Sequence, residues 1–84
     1  MRLFKIYRQL PVTIGQIIKK KRHSANLTQV ELAKKSELSQ AQISMIEKGV
    51  SENITIGNLR KIAKALGCTV IDLLPDSDKP KNMN

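Results

Sequence analysis

The sequence predicts an all-α fold, a single small domain of five helices, and three observations carry the prediction. Four hydroxyl residues stand three positions ahead of an amide or acid: Thr13 before Gln16, Thr28 before Glu31, Ser39 before Gln42 and Thr69 before Asp72. Each pair is a capping box, in which hydroxyl and amide or carboxylate satisfy backbone N–H groups that the first helical turn leaves without partners. Behind each pair the apolar residues recur at helical spacing. Aromatic residues are nearly missing, with Phe4 and Tyr7 the only two. The core must therefore come from Ile, Leu, Val and Ala, which suits packed helices better than a β-sandwich.

The elements follow in order. The first helix starts after Thr13, carries Ile14, Ile17 and Ile18, and runs to about Ser24. Gly15 inside it costs about 1 kcal/mol relative to Ala. The second spans about Gln29 to Ser36 with Val30, Leu32 and Ala33; the third spans about Gln40 to Lys48 with Ile43 and Ile46 facing inward. Gly49 then supplies a left-handed cap. The fourth runs from about Thr55 to Leu66, with Ile56, Leu59, Ile62, Ala63 and Leu66 as its buried stripe and Gly67 as its stop. A short fifth helix carries Val70, Leu73 and Leu74 and ends at Pro75.

Three regions result. Residues 1–12 form an N-terminal extension, 13–75 the helical domain and 76–84 a polar tail expected to be disordered. Leu3, Ile6, Tyr7 and Leu10 fit one face of a short helix, whereas Phe4 and Ile6 could alternate in a strand; Pro11 separates the segment from the first helix.

Composition narrows the function. Fifteen Lys plus Arg against seven acids give a net charge of +8. In so short a chain this implies a polyanionic partner, nucleic acid or an anionic membrane surface. No apolar run approaches the roughly 20 residues of a membrane span. Lys5 and Arg8 interrupt the apolar residues of the N-terminal segment, making it a poor secretory signal, so the cytoplasm is the expected compartment. Cys68 is the only cysteine, which leaves no disulfide framework and no metal-ligand set, and no cofactor is implied. One histidine (His23), one cysteine and scattered acids provide neither a triad nor paired carboxylates, so an enzyme is not expected.

The informative stretch is Leu27–Gly49. Its two short helices are separated only by Ser36–Leu38, and so short a turn forces a steep crossing. Ala33 permits close approach, Leu38 plugs the corner, and Ile43 and Ile46 anchor the second of the pair. Helical spacing leaves Gln40, Ala41, Ser44, Met45 and Lys48 facing outward. This face is polar, compact and uncharged until Lys48, as suits a helix entering a major groove. Gln can bond adenine N7 and N6, Ser can bond base edges or phosphate, and Ala or Met can touch thymine methyls.

The block Leu27-Thr28-Gln29-Val30-Glu31-Leu32-Ala33, the close Ile43-Ser44-Met45-Ile46-Glu47-Lys48-Gly49, and the following Leu59-Arg60-Lys61-Ile62-Ala63-Lys64-Ala65-Leu66-Gly67 together resemble the Cro and phage-repressor (XRE-type) helix-turn-helix family. The resemblance covers about Ile14 to Leu74. It implies a five-helix, lambda-repressor-like DNA-binding domain, a recognition helix in the major groove, and a symmetric dimer on a palindromic operator. It places Gln40, Ala41, Ser44 and Met45 at base-facing positions. Gln29 falls where the family contacts phosphate and braces the recognition helix, and Gln42 and Lys48 fall on backbone-contacting positions. Thr28, Ser39 and Lys21 are further backbone candidates, the first because helix N-termini favour anions. Arg22 and Glu47 match a pair that forms a partly buried ion pair. One departure is Glu37, which occupies a turn position often filled by Gly; a positive φ there would cost on the order of 1 kcal/mol.

The reading that follows is a sequence-specific, dimeric transcriptional regulator, mostly a repressor, acting on double-stranded DNA in the cytoplasm and nucleoid. Two alternatives stay open: an antitoxin whose extension or tail neutralises a toxin protein, and a restriction–modification controller protein.

Overall fold

The computed structural model describes residues 13–49 and 54–76; the expected N-terminal extension and all of the expected tail except Asp76 lie outside them. Among the described residues there are four α-helices and no strand: α1 (Ile14–Ser24), α2 (Gln29–Ser36), α3 (Gln40–Lys48) and α4 (Ile56–Leu66), followed by a single 3-10 turn, Ile71–Leu73.

The caps set these boundaries. The Thr13, Thr28 and Ser39 hydroxyls accept from the backbone N–H groups of Gln16, Glu31 and Gln42 at 3.0–3.1 Å, and each of those side chains accepts in return from the cap residue's own N–H. Thr55 caps α4 by accepting from Asn58 N at 3.0 Å. Gly49 and Gly67 close α3 and α4 in the left-handed conformation, at φ 77° and 72°. Glu37 closes α2 in that same conformation, at φ 61°.

The expected fifth α-helix is instead the 3-10 turn. The Thr69–Asp72 box is present, with both backbone bonds made. Leu74, however, lies before Pro75, whose ring excludes the α conformation from its predecessor, and Leu74 is extended at ψ 145°. Too few residues remain for an i→i−4 ladder, so Asp72, Leu73 and Leu74 donate to carbonyls three residues back.

Ile18, Leu32, Ala33, Ile43, Ile46, Leu59, Ile62, Ala63 and Leu73 form one core. α3 packs on α1 and α2, α4 packs on α2, and the 3-10 turn bridges α1 and α4. Two residues expected inside are not: Val30 is 48% exposed and Ile56 59%. On α2 the inward stripe runs Gln29, Leu32, Ala33, Ser36, at i, i+3, i+4 and i+7, which leaves Val30 outside it. The stripe tolerates the buried Ser36 because its hydroxyl donates to Leu32 O at 2.7 Å. Ile56 is the first residue of α4, about one turn before the first buried residue of that helix, Leu59.

Gly15 has a use that propensity alone hides. It is buried, and a Cβ there would collide with the carbonyl oxygen of Ile46 and sit 3.2 Å from Glu47 Cα. The backbones of α1 and α3 touch at this point, and only glycine allows it.

Candidate nucleic-acid interface

α3 is held on its inner side and free on its outer side. Ile43 and Ile46 are in the core and Glu47 is buried with them. Gln40, Ala41 and Lys48 are exposed, Met45 is 49% exposed and Ser44 is half-buried. Gln42 is exposed, but its Oε1 is engaged in the cap, which leaves its amide N–H groups for donation. The Ser39 hydroxyl accepts one backbone N–H and keeps an O–H that a phosphate oxygen could receive, whereas the Thr28 hydroxyl, which accepts likewise, is shared with the Glu31 carboxyl.

The two helix starts differ in charge. α3 has no acidic residue in its first turn, so the partial positive charge of its N-terminus is uncompensated. α2 carries Glu31 there. The Thr28 backbone N–H and hydroxyl hold the Glu31 carboxyl below its ordinary pKa, so a negative charge already occupies the start of α2. An anion is therefore better received at α3 than at α2.

Beneath the outer face lies a charged clamp. Arg22 Nε donates to Glu47 Oε2 at 2.7 Å and Nη2 donates to Oε1 at 3.1 Å, a bidentate pair with side chains only 8% and 2% exposed. Arg22 Nη1 donates to Leu27 O at 2.8 Å, and Nη2 lies 3.1 Å from His23 Nε2. Gln29 Nε2 donates to Glu47 Oε1 at 3.1 Å. Residues from α1, α2 and α3 thus converge on one carboxylate. Burial pushes the Glu47 carboxyl up, but the bonds from Arg22 and Gln29, with the charges of Arg22 and Lys19, outweigh it and hold the pKa below its ordinary value. The clamp is saturated, and no buried side-chain N or O atom among the described residues lacks a partner.

The basic run of α1 divides. Lys19 is exposed and near enough to Glu47 to stabilise its charge, which puts it on the α3 side. Lys21 is half-buried and its charge acts on Cys68, toward the 3-10 turn. Lys19 and Lys21 thus have different charged neighbours, Glu47 of α3 and Cys68 before the 3-10 turn. Spacing within one helix could not separate them, because the distinction depends on which elements flank α1. Burial raises the Cys68 thiol pKa, which Lys21 opposes and Asp72 reinforces; the result is a protonated, packed thiol.

Comparison with known proteins agrees with this geometry. The model of a family described as helix-turn-helix matches residues 18–73. The chain is 41% identical over 61 residues to the control protein C.BamHI of Bacillus amyloliquefaciens, covering 71% of this chain and 74% of that protein. It is similar to the crystal structure of the master regulator for biofilm formation SinR in complex with DNA, at TM-score 0.70 and 33% identity, covering 73% of this chain and 97% of that one. It is equally similar to the restriction-modification controller protein C.AhdI from Aeromonas hydrophila, at TM-score 0.70 and 30% identity, covering 73% and 91%. With the capped helix pair, its short turn and its buried clamp in place across the matched residues, the chain belongs to the helix-turn-helix family, in its Cro and phage-repressor branch.

Proposed function

We propose that the protein is a DNA-binding transcription regulator that represses by occupying promoter DNA as a symmetric dimer. The observation that carries the reading is the division of α3 into an immobilised inner face and an outer face that is exposed and uncharged up to Lys48. Gln40, Ala41, Ser44 and Met45 read base edges from that face. Lys48, Gln42, Ser39, Thr28, Gln29 and a lysine of α1 address the phosphates. Two-fold symmetry would set the two recognition helices about 34 Å apart, one turn of DNA. The domain limits 13–75 and a cytoplasmic, nucleoid-associated location belong to the same proposal. It is compatible with the absence, among the described residues, of any helix long and apolar enough to cross a membrane.

Within that class, control of a restriction–modification system is the more specific reading, supported by the identity to one control protein and the structural similarity to another. A selected-site binding assay with the full chain tests the main proposal. It should return an enriched palindrome with half-sites one helical turn apart. An unenriched pool would overturn sequence-specific regulation.

A further inference from the structure

The lysines of α2 and α4 are not explained by α3. Lys35, from the last turn of α2, and Lys61 and Lys64, from α4, line one cleft of about 300 Å³ together with Ser36, Glu37 and Ala65. The three lysines are exposed, and none forms an ion pair among the described residues. The acids in reach are Glu37, on the cleft itself, and Glu31, one turn before Lys35 and committed to the Thr28 N–H.

The position argues against DNA as the occupant. α2 lies between α3 and α4, since α3 packs on α1 and α2 while α4 packs on α2. No outward residue of α3 lines the cleft. A sugar–phosphate strand followed by α3 would meet α3 and the helix starts, whereas the cleft is at the C-terminal end of α2 and the far half of α4. There the carbonyl end of α2 and Glu37 make the field less positive than at the start of α3, while three flexible ammonium groups can each turn to a separate carboxylate.

We propose that this α2–α4 cleft is a docking site for an acidic segment of a partner protein, one presenting two or three closely spaced carboxylates, and that it is used while α3 is engaged elsewhere. The contact is electrostatic and steered, so it should be fast and salt-sensitive.

The test uses the full chain and a fluorescein-labelled hexaglutamate peptide, with fluorescence anisotropy at low and physiological salt. Lys61→Ala/Lys64→Ala should weaken peptide binding at least fivefold and leave affinity for a duplex DNA fragment within twofold. Lys19→Ala/Lys20→Ala, which removes the same charge from α1, should change peptide binding less than twofold. Glu37→Gln should tighten it. Equal losses in the two double variants would reduce the effect to net charge and overturn the site. A matching loss of DNA affinity in Lys61→Ala/Lys64→Ala would reassign the cleft to phosphates and overturn it equally. All four substituted lysines are exposed, and circular dichroism should show unchanged helicity.

Discussion

Glu47→Ala tests the clamp most directly. The substitution strips Arg22 of the partner at Nε and one at Nη2, leaving the guanidinium buried on Leu27 O and His23 alone. Removing one member of a buried pair costs about 3–5 kcal/mol, because the survivor keeps its desolvation penalty without its compensation. The retained bond to Leu27 O puts the expected loss in the lower half of that range. Domains are stable by about 0.05–0.15 kcal/mol per residue, so roughly 4–13 kcal/mol is available to this chain. Urea unfolding followed by circular dichroism should show the loss, and Tm should fall by roughly 12 °C or more. The partner variant Arg22→Met blunts the acid response. In the wild type the Glu47 pKa lies below its unfolded value, so its contribution is complete above the ordinary carboxylate range, about pH 4.3. It is lost as pH falls through the lower, folded value. Without Arg22, burial still raises the Glu47 pKa and only Gln29 and Lys19 remain to lower it, so the folded pKa moves upward. Arg22→Met should then lose less stability than the wild type as pH falls below the ordinary carboxylate range. A loss below about 1 kcal/mol for Glu47→Ala, or parallel acid profiles for wild type and Arg22→Met, would refute the clamp as an energetic element.

Four further outcomes are expected. Gly15→Ala should destabilise by about 1–3 kcal/mol in the same unfolding assay, despite the better helix propensity of alanine, because the new methyl meets the Ile46 carbonyl. Glu37→Gly should stabilise by on the order of 1 kcal/mol in chemical unfolding, since φ 61° costs glycine nothing. Gln40→Ala should relax preference at a single base position by about 1–3 kcal/mol in a competition binding series. Lys48→Ala should weaken binding to all sequences and shallow the slope of log K against log salt by about 0.9.

Local chemistry made most of the fold readable. The cap pairs announced the starts of α1, α2 and α3 because a hydroxyl and an amide or acid three residues apart can do little else at an exposed turn. The same signal at Thr69 marks the cap and says nothing about length; the proline six residues on decides that. Val30 lies outside because the stripe of α2 passes through Gln29 and Ser36, polar residues satisfied by bonds that only the assembled fold provides, and Ile56 because it stands in the exposed first turn of α4. Gly15 looked like a weakness because its neighbour, the Ile46 carbonyl, is remote in sequence. On the outer face of α3 helical spacing was sufficient, since exposure there depends on one helix alone. The Arg22–Glu47 pair and the brace from Gln29 follow from the family resemblance and are present, whereas the different surroundings of Lys19 and Lys21 required the packing of α1 against its neighbours.

The two-faced construction of α3 has a consequence for how such a protein can change. Ile43, Ile46 and Glu47 carry most of its share of the folding free energy, while Gln40, Ala41 and Met45 stay exposed and outside the core. On the proposed reading, preference for a DNA sequence and stability of the fold are written in separate letters of the same nine-residue helix. The outward letters can be rewritten, and the target exchanged, at almost no energetic penalty to the scaffold that presents them.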